Sequence, residues 1–159
     1  MDELARKVGR RLNSANAVLV TAESCTGGWA AQAITSVAGS SEWFERGFVV
    51  YSNAAKLELL GVRAETLQRH GAVSEQTAAE MASGALARSK ASVALSITGV
   101  AGPGGGSRDK PVGTVCFAWA RSTGWIRAET LLLAGDRESV RRQSVVHALQ
   151  GVLKALDGG

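Results

Sequence analysis

Three short apolar runs, Ala17–Thr21, Phe48–Tyr51 and Val93–Thr98, each follow a stretch of helical periodicity, and each breaks off into a turn rich in Gly, Ser, Thr or Asn. Strands that read as continuous apolar runs, rather than alternating with polar residues, are those covered on both faces. Helices between such strands act as crossovers and point to a largely parallel sheet sandwiched between helical layers. The helical stretches are Asp2–Leu12, with Leu4, Val8 and Leu12 at fourfold spacing, then Thr26–Val37 opening at Gly27-Gly28, and Asn53–Leu60 with Asn53 as its cap. Gln76–Ser89 follows, capped by Ser74 or Thr77, and Asp136–Leu156 closes the chain with an acidic residue where the helix dipole favours one. Gly113–Trp119 and Trp125–Leu133, joined by Ser122-Thr123-Gly124, read as an antiparallel pair. The expectation is an α/β fold over residues 1–159, built as a single-domain three-layer α/β/α sandwich with a mixed, mostly parallel sheet and an antiparallel hairpin. A chain of 159 residues with 45% hydrophobic content suits one core.

Composition excludes several classes of function. The net charge is +4, but the basic residues are scattered, with Arg10-Arg11 and Arg141-Arg142 the only adjacent pairs. Aromatic residues are 5% of the chain, too few for a base-stacking platform, so nucleic acid is not the expected partner. Cys25 and Cys116 are too few and too distant in sequence for a disulfide framework or a zinc site, and no cluster suggests another metal. The N-terminus lacks the apolar core of a signal peptide, and no run approaches the roughly 20 apolar residues that span a bilayer. A cytoplasmic protein without a membrane partner is expected.

Chemistry concentrates in three segments. Gly39–Lys56, GSSEWFERGFVVYSNAAK, brings Ser40, Ser41, Tyr51 and Lys56 around one apolar stretch. A serine hydroxyl needs a base to take its proton, and lysine can serve if its ammonium is made to deprotonate. At an unperturbed pKa near 10.4, only about one lysine in a few thousand is neutral at pH 7, so burial or a nearby cation such as Arg46 or Arg137 must lower it. Histidine is nearly absent: His70 and His147 lie in segments without a Ser/Asp partner pattern. Glu23–Gly28, ESCTGG, forms a strand-to-helix turn whose Ser24, Thr26 and Gly27 offer hydroxyls and amides to a phosphate or carboxamide. Cys25 within it reads as a buried structural thiol, and Ser24 as either a helix cap or an exposed nucleophile after a strand. Thr98–Gly106, TGVAGPGGG, lets backbone amides of Gly99, Gly102 and their neighbours approach an anion, without the ending of a P-loop or a dinucleotide fingerprint. Glu23–Gly28, Tyr51–Lys56 and Thr98–Gly106 fall at strand carboxyl ends, where open α/β sheets bind ligands.

Taken together, TAESCTGG (Thr21–Gly28), AGSSEWFERGFVVYSNAAK (Ala38–Lys56), LLGV (Leu59–Val62), HGAVSE (His70–Glu75), SITGVAGPGGGS (Ser96–Ser107), KPVGTV (Lys110–Val115) and GDRESVRRQ (Gly135–Gln143) resemble the CinA C-terminal domain family, the nicotinamide-nucleotide deamidases. The match runs nearly end to end in the family's order. The resemblance implies hydrolysis of the carboxamide of nicotinamide mononucleotide to nicotinate mononucleotide and ammonia, in pyridine-nucleotide salvage, without cofactor or metal. It implies a Ser–Lys mechanism carried onto Ser41 and Lys56, with Tyr51 assisting, and nucleotide contacts at Ser24, Thr98 and Arg137. The expected form is the stand-alone domain, without the molybdopterin-binding-like domain of longer relatives. Position alone puts Ser24 ahead of Ser41 as nucleophile; the resemblance puts Ser41 first. A catalytically weak nucleotide-binding or regulatory module is the alternative, and the hairpin edge suggests a homo-oligomer.

Overall fold

The computed structural model describes residues 1–158. Helix α1 (Asp2–Ser14) buries Ala5, Val8, Gly9 and Leu12 on one stripe, as its periodicity predicts. Strand β1 (Leu19–Glu23) follows, then helix α2 (Trp29–Thr35), a 3₁₀ turn at Ser40–Glu42 and strand β2 (Phe44–Val49). Helices α3 (Asn53–Leu60), α4 (Ala64–His70) and α5 (Glu75–Ala87) lead to strand β3 (Val93–Gly99). Strands β4 (Thr114–Arg121) and β5 (Ile126–Leu132) form the hairpin, and helix α6 (Arg137–Leu156) closes the chain. No helix among the described residues is long and apolar enough to cross a membrane.

The sheet order is β2-β1-β3-β4-β5. β1 pairs in parallel with both β2 and β3, while β4 is antiparallel to both β3 and β5. The sheet is therefore mixed, with two parallel and two antiparallel pairings. Its alternating residues build two cores. Leu95, Ile97, Val115, Phe117 and Trp119 face α1, α2 and α6, whereas Ala22, Ala94, Cys116, Ala118 and Ala120 face Ala78, Met81, Ala82 and Ala85 of α5. The first layer is filled by large side chains and the second by small ones, so α5 lies close against the sheet and against its neighbouring helix. At Gly84 of α5 a β-carbon would sit 1.9 Å from the Leu60 carbonyl oxygen, which leaves room only for glycine.

Several boundaries differ from the sequence reading. β1 begins two residues later than expected and runs on to Glu23, because Ala17 N–H bonds back to Leu12 O and the Glu23 carboxylate finds partners inside the fold. β2 lies at Phe44–Val49 instead of Phe48–Tyr51. As an edge strand it accommodates Glu45 and Arg46, which a search for apolar runs passes over. α3 is capped by Ser52, whose Oγ accepts the Ala55 N–H, and Asn53 is its first residue and not its cap. α4 was not anticipated; its polar sequence AETLQRH buries only Thr66, so it carries little periodic signal. Ser74, not Thr77, caps α5, and Asp136 caps α6 through a 2.9 Å bond from Ser139 N–H.

Candidate active site

β1 lies between two parallel neighbours, and the chain leaves it toward β2 but returns on its other side as β3. At such a switch point the loops after the two inner strands diverge and leave a crevice at their carboxyl ends. A cavity of about 300 Å³ opens there, lined by Ser24 after β1, Tyr51 and Lys56 after β2, Thr98 to Gly102 after β3, Ala72 and Val73, and Arg137 from the start of α6.

Lys56 sits in the first turns of α3 and is only 1% exposed. Its Nζ lies 3.0 Å from Ser24 Oγ, 2.9 Å from Val50 O and 3.2 Å from Tyr51 O. Burial holds its pKa below the ordinary lysine value. The partner set suits a neutral amine: two N–H groups donate to the carbonyls and the lone pair faces the Ser24 hydroxyl. With an ammonium in place, all three protons would be donated, and Ser24 O–H would turn to Tyr51 O, 3.5 Å away. The expected second cation takes no part. Arg46 is tied to Glu45 at 2.7 Å and to Arg88 O, and Arg137 reaches Gly102 O at 2.7 Å across the pocket.

Ser24 is buried at the end of β1, its N–H donated to Ile97 O. The turn after it is built from both sides. The fully buried Glu23 carboxylate accepts the Thr26 hydroxyl at 2.6 Å and the Ala30 and Ala31 N–H groups at 2.8 and 3.1 Å. It thereby caps α2, whose N-cap Gly28, at φ 101°, has no side chain to do so. On the other side Arg141 donates to the Cys25 and Thr26 carbonyls. Burial pushes the Cys25 thiol up to about 11, so it is protonated at neutral pH and is no nucleophile.

The pocket thus gathers Ser24, Tyr51, Lys56, Thr98, Gly99, Gly102 and Arg137 from the sequence-derived set, and leaves out three residues. Ser41 is exposed in the 3₁₀ turn before β2, and the Leu19–Phe44 pairing sets it at the amino end of the strands, opposite the pocket. It does not meet Lys56. Thr26 is fully buried with its hydroxyl spent on Glu23, and Gly27 is exposed beside Arg141 with its N–H on Ser24 O. Neither the Thr26 hydroxyl nor the Gly27 amide is therefore free to meet a phosphate. Tyr51 is 65% exposed at the rim, and its hydroxyl is 3.5 Å from Arg137 Nη2, its only hydrogen-bond partner among the described residues. It contributes to Lys56 through its backbone carbonyl. Thr98 donates to Ala72 O at 2.8 Å and so ties the HGAVSE segment into the pocket wall.

Sequence reasoning missed Glu23, Arg141, Ala72 and Val73 as parts of the site. For Glu23 the available signal was a carboxylate ending an apolar strand, and for Arg141 the fourfold spacing from Arg137, which puts both on one face of α6. His147 lies elsewhere, 2.5 Å from Glu129 and edge-on to Phe117.

A sequence model described as the CinA C-terminal domain matches residues 1–156. The chain belongs to the CinA C-terminal domain family. Family members similar to it include nicotinamide-nucleotide amidohydrolase PncC of Escherichia coli K12, 55% identical over 148 residues that cover 93% of this chain and 90% of that protein. Among solved CinA structures, the competence/damage inducible protein CihA from Agrobacterium tumefaciens superposes with a TM-score of 0.94 at 46% identity, covering 98% of this chain and 94% of that one. A CinA superfamily protein from Klebsiella pneumoniae gives a TM-score of 0.95 at 40% identity, over 99% and 98% of the two chains.

Proposed function

We propose that this chain hydrolyses the carboxamide of nicotinamide mononucleotide to nicotinate mononucleotide and ammonia, with Ser24 as nucleophile and Lys56 as general base. The observation that carries the reading is the buried Lys56 Nζ, its pKa lowered, 3.0 Å from the hydroxyl of Ser24. The name of the E. coli relative supports the choice of substrate.

In the first half-reaction the neutral amine takes the Ser24 proton as Oγ bonds to the carboxamide carbon. The Lys56 ammonium then returns that proton to the departing nitrogen, the C–N bond breaks, and ammonia leaves an acyl-serine. Water attacks the ester as Lys56 accepts its proton, the acyl C–Oγ bond breaks, and Lys56 returns the proton to Ser24 Oγ, releasing the acid and restoring the enzyme. The two carbonyls on Nζ hold it against Ser24 throughout. Arg137 and the Gly102–Gly105 loop form the anionic subsite for the 5′-phosphate, while Tyr51, Ala72 and Val73 form the walls for the pyridine ring.

The test is ammonia release from the mononucleotide, followed by trapping of the acyl-enzyme with a slow ester substrate and mapping of the modified peptide. Label on Ser24 is expected. Label on Ser41 would overturn the nucleophile assignment, and tight binding without turnover would favour a regulatory module instead.

A further inference from the structure

Arg141 does not line the pocket, yet it grips the two peptide carbonyls that follow Ser24. Its Nε donates to Cys25 O at 3.0 Å and its Nη2 to Thr26 O at 3.2 Å. The guanidinium is itself held over the Trp29 ring, 5.3 Å from the centroid. A planar guanidinium bridges two carbonyls with separate nitrogens held in a rigid fork, where a lysine would have to share one nitrogen between them. The consequence concerns the opposite side of the turn. In a trans peptide the N–H points away from the C=O, so drawing Cys25 O toward Arg141 directs Thr26 N–H to the other face. Ser24 O is likewise engaged by Gly27 N–H, which fixes the plane that carries Cys25 N–H. Neither the Cys25 nor the Thr26 N–H has a hydrogen-bond partner among the described residues. These two amides immediately follow the hydroxyl assigned as nucleophile. In strand-to-helix nucleophile turns the amide after the serine is where the developing oxyanion is received.

We infer that Arg141 is a positioning residue for acyl transfer: its hold on Cys25 O orients the Thr26 N–H, and its hold on Thr26 O orients the Gly27 N–H that grips Ser24 O and so sets the Cys25 N–H, aligning the Cys25 and Thr26 amides as the oxyanion site. The inference rests on the reading of Ser24 as nucleophile. Glu23 braces the same turn from within the core, but its bonds go to Thr26 Oγ1, Ala30 and Ala31. Those fix the entry into α2, whereas Arg141 fixes the peptides beside the nucleophile.

The experiment compares wild type, Arg141→Met and Arg141→Lys on nicotinamide mononucleotide and on its thioamide analogue, whose sulfur is a poor acceptor for the oxyanion donors. Arg141→Met keeps the stem on Trp29 and is expected to lower kcat about 10- to 100-fold, with KM within about twofold, because Arg137 and the pocket walls are untouched. The oxo-over-thio preference of the wild type should shrink by a similar factor, and Arg141→Lys should fall between the two. A purely structural role would lower both substrates alike and leave that preference intact, which would overturn the inference, as would kcat within about twofold of wild type in both variants. Should the methionine variant fail to fold, the lysine variant decides by the same two readouts. Full activity in Ser24→Ala would remove the nucleophile assignment and this inference with it; an inactive Ser24→Ala beside a fully active Arg141→Met would remove the inference alone.

Discussion

Ser24 and Ser41 lie at opposite ends of the same pair of parallel strands, and only Ser24 meets a buried lysine. Five residues of β1 at about 3.3 Å each put roughly 15 Å of sheet between the two ends. At the carboxyl end the chain diverges to either side of β1, which opens a crevice, collects Gly-rich loops and seats an almost wholly buried lysine against the cavity. At the amino end Ser41 faces solvent in a single 3₁₀ turn, next to a groove whose charged members are Arg6, Arg10 and Glu42. Among the described residues no base is hydrogen-bonded to it. What separates the two serines is the topology of the connections around them and not their local sequence, since both lie in short turns between a strand and a helix or turn of helix.

The sharpest way to break this contrast is to remove the base. Lys56→Met is expected to lower kcat by about 10²- to 10⁴-fold while the nucleotide still binds. Its effect on stability should also depend on pH. Because burial lowers the pKa of Lys56 in the folded chain, the unfolded chain binds the extra proton between that lowered value and the ordinary 10.5. Stability contributed by this site therefore rises with pH across that window and is lost as pH falls through the folded value. Urea midpoints measured across the window should climb with pH in the wild type, and more weakly in Lys56→Met. A wild type whose kcat shows no rising limb below the ordinary lysine pKa would contradict a neutral-amine mechanism.

A smaller effect tests the anionic side of the same end. Arg137→Ala should raise KM about 10- to 100-fold, the worth of a charge-assisted hydrogen bond, with little change in kcat. Steady-state kinetics separate the two parameters. At the other end of the strands, Ser41→Ala should leave kcat, KM and the melting temperature nearly unchanged, within about 0.5 kcal/mol as for other exposed substitutions. A large loss of turnover in that variant would make the two ends equivalent and undo the comparison.

Much of this was legible in the sequence, for identifiable reasons. Runs such as VALSIT and AVLVT marked buried parallel strands because nothing but burial on both faces favours them, and the Gly-rich segments that follow marked the crevice. Lys56 was legible as a candidate base by its chemistry, and Ser24 as a candidate nucleophile by its place after a strand. That the two meet was not legible, because they are 32 residues apart and come together only once β1 and β2 pair in register. Edge strand β2 and helix α4 were misread or missed because their faces are largely solvated, and solvated residues obey no strict period. The role of Thr26 was obscured for a related reason: a hydroxyl at a helix start looks the same in sequence whether it faces a ligand or a buried carboxylate.

The near-contact of Gly84 with the Leu60 carbonyl reaches further than packing. Leu60 lies one turn beyond Lys56 on α3, so any side chain at position 84 would lever that helix outward and admit solvent beside the amine. Hydration would restore the positive charge. A missing methyl group on a neighbouring helix thus helps set the proton affinity of the proposed base.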